Sequence, residues 1–165
     1  VPRQHGPSRG RGGLPACVVE SVAHQPEPKP PAGPSAACSA LKGRTFDHTT
    51  SIVDATLVTS GALRISETIT VADLPAFCRV QGVSKPSTDS DIRFEVWLPQ
   101  PAGWNRKFLS TGEGGFAGQL NYGRNGLDNA MDELLRRGYA TASTDTGHVS
   151  PDRWWGVPHP AEVTD

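Results

Sequence analysis

Four glycines fall within the seven residues Gly112-Glu113-Gly114-Gly115-Phe116-Ala117-Gly118, directly after the short apolar run that begins at Lys107 and Phe108. A strand that meets such a cluster ends there, because glycine weakens a strand interior and populates positive φ freely. The cluster therefore predicts a loop at a strand end whose backbone N–H groups are open to close approach. A phosphate or an oxyanion are the groups such a loop would meet, although a tight connection with no ligand uses the same residues.

The residues after the cluster define what the loop belongs to. Leu127, Ala130, Met131, Leu134 and Leu135 recur at three- and four-residue spacing, with Asp128, Asp132 and Glu133 early, Arg136 and Arg137 late, and Gly138 as a stop. That pattern predicts a helix over Leu127 to Arg137 whose charges complement its dipole. Tyr139-Ala140-Thr141-Ala142-Ser143-Thr144 then reads as a short strand ending at Asp145-Thr146-Gly147-His148. Strand, glycine loop, helix and strand make a crossover unit with parallel strands. Ligands of such sheets lie at the carboxyl ends of the strands, where Gly112 to Gly118 and Asp145 to His148 both fall.

Upstream, Ile92, Phe94, Val96 and Leu98 alternate with Arg93, Glu95 and Trp97 over a clear strand, paired in a hairpin with a half-buried strand in which Cys78, Val80 and Gly82 alternate with Phe77, Arg79 and Gln81. Ser51 to Ser60 and Ile65 to Val71 read as further strands, and Ala36 to Leu41, closed by Gly43, as one helical turn. The fold class expected is therefore α/β, with an antiparallel hairpin leading into a parallel sheet. Residues 1 to 35 are set apart: the opening arm is rich in proline, glycine and arginine, shows neither period and is expected to be disordered.

Composition narrows the function. A formal net charge of -1 and a pI near 6.6 give no pull toward nucleic acid or an anionic membrane, and Arg9-Gly10-Arg11-Gly12-Gly13 is a single RGG-like copy offset by Glu20 and Glu27. No apolar run approaches the length of a spanning helix, and the mean hydropathy is -0.41. No Cys and His spacing suggests zinc and no Asp-rich loop suggests calcium. The chain opens at Val1 without a leader and is expected to be a piece of something longer.

Two chemical readings of the glycine loop compete. Gly112-x-Gly114-x-x-Ala117 with Asp145 at the next strand end fits a tolerant dinucleotide fingerprint, but Gln119 to Gly126 keep the helix away from the glycines. No Gly-Lys-Ser/Thr is present, so a nucleotide-binding P-loop is excluded. The other reading is an oxyanion loop. In hydrolases with this sheet one donor N–H comes from the loop after the third strand, and the helix need not begin at once.

Ala37-Cys38-x-x-Leu41, Leu74-Pro75-x-Phe77-Cys78-x-Val80-x-Gly82, Ile92-x-Phe94-x-Val96-x-Leu98-Pro99, Trp104-Asn105-x-Lys107-Phe108, Gly112-x-Gly114-Gly115-Phe116-Ala117-Gly118, Arg137-Gly138-Tyr139-Ala140 and Thr144-Asp145-x-Gly147-His148 together resemble the tannase and feruloyl esterase family, which includes the mono(2-hydroxyethyl) terephthalate hydrolases. The resemblance runs from Ala36 to Asp165. It implies the N-terminal portion of an α/β-hydrolase catalytic domain in a secreted enzyme that hydrolyses esters of aromatic acids with a Ser-His-Asp triad. The nucleophile elbow, the rest of the triad, a lid domain and the lid's calcium would follow Asp165, so the isolated chain is expected to be inactive. A dinucleotide-binding oxidoreductase piece and a noncatalytic interaction protein are the alternatives.

By the same resemblance Gly115 holds the position whose backbone N–H helps bind the tetrahedral oxyanion, with Gly114 as the register-shifted alternative. Cys38 and Cys78 resemble the family's N-terminal disulfide, leaving Cys17 free in the arm. The resemblance assigns no cofactor or metal to this portion, and an aromatic-acid ester is the partner it implies. His148, beside Asp145 at a strand end, reads as a loop anchor, and Trp154-Trp155 as loop packing.

Overall fold

The structure, a computed structural model, describes residues 34–112, 118–123 and 130–149 together with Trp154 and Val157. Of the arm expected over residues 1 to 35, residues 1–33 lie outside the described residues, as do 113–117 of the glycine cluster and 124–129. Pro34 and Ser35 belong to a helix, and the helix expected from Leu127 begins only at Met131, after Ala130 as an extended N-cap.

The elements follow the residue patterns. Helix α1 (Pro34–Ser39) precedes strands β1 (Thr45–Phe46), β2 (Thr50–Val58), β3 (Leu63–Arg64), β4 (Thr70–Val71), β5 (Phe77–Ser84) and β6 (Ile92–Pro99). A 3-10 turn at Pro101–Gly103 leads to β7 (Phe108–Ser110), then α2 (Met131–Arg136) and β8 (Ala140–Thr144). Six strands form one sheet in the order β1-β2-β5-β6-β8-β7, while β3 and β4 make a small ladder of their own.

Only the last neighbours, β8 and β7, are parallel; β1-β2, β2-β5, β5-β6 and β6-β8 are all antiparallel. The expected hairpin is thus part of a larger antiparallel array, because β2 adds to the outer side of β5 and β8 inserts between β6 and β7. The strand expected over Ile65 to Val71 is instead a turn between two-residue arms. The Ser66 hydroxyl accepts the N–H groups of Thr68 and Ile69, at 3.3 and 3.2 Å, and bends the chain there.

On β6 it is Glu95 and Trp97, which alternate with the apolar Ile92, Phe94, Val96 and Leu98, that are the most buried, at 2% and 0% exposure. On β5 the expected alternation holds, with Cys78, Val80 and Gly82 buried against the half-buried Arg79 and Gln81, and departs only at Phe77, which is buried as well because the sheet is covered on both faces. On one face Phe77, Trp97, Leu63, Val71 and Leu74 pack with Met131 and Leu135 of α2. On the other, Cys38 of α1 packs with Ile52, Ala55, Cys78 and Val80. The Cys38–Cys78 disulfide joins α1 to β5 across that second core, with Cα atoms 5.6 Å apart.

The end of α2 shows why glycine stands there. Gly138 N–H donates to Leu135 O at 2.9 Å and Tyr139 N–H to Leu134 O at 3.0 Å, the paired bonds of a Schellman cap, with Gly138 at φ 80°. A Cβ at Gly138 would also lie 2.6 Å from Gly103 O. Arg136 fastens α2 to the segment after β4, donating to Asp73 O at 3.1 Å and Ala72 O at 2.8 Å.

Candidate active site

Parallel pairing of Phe108 with Ala140 and Ser110 with Ala142 carries β7 and β8 to the same edge of the sheet. Thr111 N–H extends the ladder by donating to Ala142 O at 2.8 Å. Thr111-Gly112 and the segment Asp145 to His148 therefore leave the sheet side by side. Residues 113–117 lie outside the described residues, so the expected oxyanion positions Gly114 and Gly115 do too; the flanks Gly112 and Gly118 are described.

Beyond β8 the chain turns sharply, with Thr146 at φ 59° and Gly147 at φ 85°. Positive φ at a threonine is strained and persists only where the surroundings hold it. Asp145 does the holding. Its buried carboxylate accepts Arg93 N–H at 2.9 Å and Gly147 N–H at 3.0 Å through the same oxygen, tying the turn to β6. That use as a backbone anchor is not the posture of a ribose-binding acid. His148 is hydrogen-bonded to the Thr146 hydroxyl through Nδ1 at 3.2 Å and lies against Gly118. A Cβ at Gly118, which has φ 50°, would sit 2.7 Å from the imidazole Cδ2. The last glycine of the cluster thus exists in part to admit this ring, in keeping with His148 as a loop anchor.

The return from the cluster is fixed by two residues that the sequence reading passed over as connection. Asn121 is buried, at 3% exposure. Its side-chain NH2 donates to Thr111 Oγ1 and to Gly112 O, both at 3.3 Å; its backbone N–H donates to Ser143 Oγ at 3.0 Å; and its carbonyl accepts Met131 N–H at 3.1 Å. The next residue, Tyr122, donates its hydroxyl to Glu95 Oε1 at 2.8 Å and stacks on Trp97 with ring centroids 5.9 Å apart.

Glu95 is the centre of a buried polar group on this face. Arg79 pairs with it in a two-pronged manner, Nε to Oε2 at 2.9 Å and a terminal nitrogen to Oε1, while Gln81 donates to Oε1 at 3.0 Å and Trp97 Nε1 to Oε2 at 2.9 Å. A buried carboxylate is tolerable when its lone pairs are filled in this way. Burial opposes the Arg79 charge, but the hydrogen bonds and charge of Glu95 outweigh it and raise the guanidinium pKa. Burial, then the Glu95 charge and hydrogen bond, push the Tyr122 phenol well above its ordinary value, so it remains a donor at neutral pH. Arg79 and Glu95 are diagonal neighbours across the β5-β6 ladder, where Gln81 faces Glu95 and Arg79 faces Trp97, so their pairing follows once the register is known. No signal in the sequence marked Asn121.

A cavity of about 530 Å³ opens beside this network, with Ile65, Val83 and Leu120 among its apolar walls and Lys85 and Arg93 at one end. Those two cations share the Asp91 carboxylate, at 3.2 and 3.3 Å, and Arg79 is committed to Glu95. Among the described residues no three His, Cys, Asp or Glu side chains are grouped to hold a metal ion, and no helix is long and apolar enough to cross a membrane.

A mixed sheet packed against helices on both faces, with Thr111-Gly112 and the carboxylate-pinned Asp145 to His148 at neighbouring strand ends, is an α/β scaffold. The family model for tannase and feruloyl esterase matches residues 78–163, just over half of the chain, and the chain belongs to that family. It is 44% identical over 136 residues to an uncharacterized esterase of Xanthomonas campestris pv. campestris, covering 81% of this chain and 22% of that one. It is also 37% identical over 71 residues to a probable feruloyl esterase B-1 of Aspergillus terreus, covering 43% of this chain and 12% of the other. Among solved structures, feruloyl esterase B from Aspergillus oryzae superposes with a TM-score of 0.62 at 26% identity, over 79% of this chain and 25% of that one. The chain spans a quarter or less of the length of these relatives.

One string of the nucleophile form Gly-x-Ser-x-Gly does occur, Gly6-Pro7-Ser8-Arg9-Gly10. It precedes every strand and lies outside the described residues, whereas a nucleophile elbow is defined by the turn from a strand into a helix.

Proposed function

We propose that this chain is the N-terminal portion of the catalytic α/β-hydrolase domain of a carboxylic ester hydrolase acting on esters of aromatic acids, and that the glycine loop supplies half of its oxyanion hole. The observation that carries the reading is positional. In sequence the glycine stretch follows β7, the third strand in the run β5, β6, β7, and β7 lies parallel beside β8. That is where hydrolases of this kind draw one oxyanion donor from the backbone. Gly115 N–H is the donor assigned, with Gly114 as the alternative register.

In this mechanism a serine attacks the ester carbonyl while a histidine takes its proton and an aspartate orients the histidine. The negative charge developing on the carbonyl oxygen is met by the Gly115 N–H and a second donor beside the nucleophile. One such donor lowers the barrier by about 3 kcal/mol, and only when the nucleophile stands opposite. Nucleophile, acid and histidine are assigned to sequence beyond Asp165, so the isolated chain is read as inactive. Calcium is assigned to a lid domain there and enters no step here. The Cys38–Cys78 bridge suits an oxidising, extracellular setting.

The test uses the complete enzyme. Gly115→Pro removes the donor N–H and fixes φ, and kcat on an aromatic ester such as methyl ferulate should fall about a hundredfold or more in a protein that still folds. A folded Gly115→Pro enzyme with undiminished kcat, or ester hydrolysis by the purified 165-residue chain, would overturn the assignment.

A further inference from the structure

We infer that Asn121 is a positioning residue: its side-chain amide clasps the two ends of the glycine loop and holds the backbone in the register that oxyanion binding needs. The inference rests on the proposed oxyanion role of that loop and adds to it the group that sets its shape. Four connections meet at this one residue. The amide nitrogen reaches Thr111 Oγ1 and Gly112 O at the loop's start, while Asn121 itself stands just past the loop's end. Backbone bonds to Ser143 Oγ and from Met131 N–H fix Asn121 on β8 and at the start of α2. The clasp is therefore referenced to the sheet and to the helix.

The chemistry requires an amide. Gly112 O can only accept, so the nitrogen of the Asn121 side chain must face it, and the second hydrogen of the same nitrogen serves Thr111 Oγ1. Aspartate would have nearly the same shape but would set a carboxylate oxygen against a carbonyl oxygen. Alanine would remove the donor shared by Gly112 O and Thr111 Oγ1 and leave a gap where the buried Asn121 amide stands. Tyr122 secures the adjoining residue by its bond to Glu95, so the return segment cannot follow a loosened Asn121 far. At the far end of the loop, Gly118 rests on His148 and limits travel there. A loop held at both ends transmits a displacement of its base to the N–H groups between, and a misplacement near 1 Å can cost on the order of a hundredfold in rate.

The experiment compares Asn121→Ala and Asn121→Asp in the complete enzyme, with Asp54→Ala on β2 as a remote control, reading kcat, KM and melting temperature for each. A positioning role gives a kcat lower by about ten- to a hundredfold for both variants, with KM changed less than about threefold. Asp54→Ala should retain kcat. If Asn121→Asp works at the wild-type rate, the residue only fills space and the inference fails. It fails equally if kcat in every variant merely tracks melting temperature. Should Asn121→Ala not fold, Thr111→Val removes one acceptor from the clasp and should lower kcat by a few-fold; unchanged kcat there overturns the inference. Gly115→Pro separates the two levels. An inactive Gly115→Pro beside a fully active Asn121→Ala sinks the clasp alone, whereas a fully active Gly115→Pro sinks the oxyanion reading beneath it.

Discussion

The β2-β5-β6 region and the β7-β8 region share one sheet but differ in how completely they are finished. In the first, long antiparallel ladders are covered on both faces, a disulfide crosses one core, and a buried carboxylate has every donor it needs. In the second, β7 has three residues, all exposed, with Phe108 at 60% and Leu109 at 40%, and its described partner is β8 alone. The contrast teaches where stability and chemistry are separated. The antiparallel region is a support that satisfies itself, and the parallel edge presents main-chain groups and apolar surface. An edge strand with exposed phenylalanine and leucine is one that a further strand would cover.

The comparison can be broken most forcefully at the disulfide. Cys38 and Cys78 are separated by 40 residues, and a loop of that size is expected to contribute about 4 kcal/mol by restricting the unfolded chain. Cys38→Ala with Cys78→Ala should lower the denaturant midpoint accordingly, and reductant should then have no further effect. A midpoint unchanged by the double substitution would show that the antiparallel region does not depend on its bridge. Next in size is Glu95→Gln, which leaves Arg79 buried beside a neutral amide and should cost about 3 kcal/mol, read by equilibrium unfolding. A loss under 1 kcal/mol would mean that the network is wet and contributes little.

The smallest effect has the opposite sign and belongs to β8. Thr141 is fully buried, and its hydroxyl has no hydrogen-bond partner among the described residues. Thr141→Val removes an unsatisfied polar group at nearly constant shape and should stabilise by about 1 kcal/mol. If it destabilises instead, the hydroxyl has a partner in the intact protein, and the parallel edge is more nearly finished than it looks.

Much of the fold was legible because its elements are punctuated by residues with one physical use. Gly138 could end α2 since only glycine fits both the positive φ and the approach of Gly103 O, and Pro99 with Pro101 stops β6. The alternation on β6 predicted a strand correctly and left open which of its faces is buried. Period two reports which residues share a face, not which face is inside, and Glu95 is inside because Arg79, Gln81, Trp97 and Tyr122 converge on it. The predominance of antiparallel pairing was hidden for a related reason: insertion of β8 between β6 and β7 is decided by long-range packing of α2, and local patterns carry no record of it. Of the candidate site, the end of β7 just before Gly112 was readable from the apolar run that stops there. The clasp at Asn121 was not, because an asparagine among glycines reads as a turn until its partners at Thr111 and Gly112 are seen.

The place of β8 in the sheet also sets an order of events. Strand β7 leaves the ribosome first, yet the described strand that pairs with it begins at Ala140, after α2, and that same strand is what attaches β7 to β6. The antiparallel β5-β6 hairpin can therefore close while synthesis continues, whereas the parallel edge must wait for a longer loop to close at its own entropic cost. Until Thr144 has emerged, nothing in the sheet holds the glycine loop, and an apolar β7 stands open to partners from other chains. The parallel edge is in this sense the last part of the sheet to become committed, and the interval before β8 arrives is when the nascent protein is most exposed to mispairing.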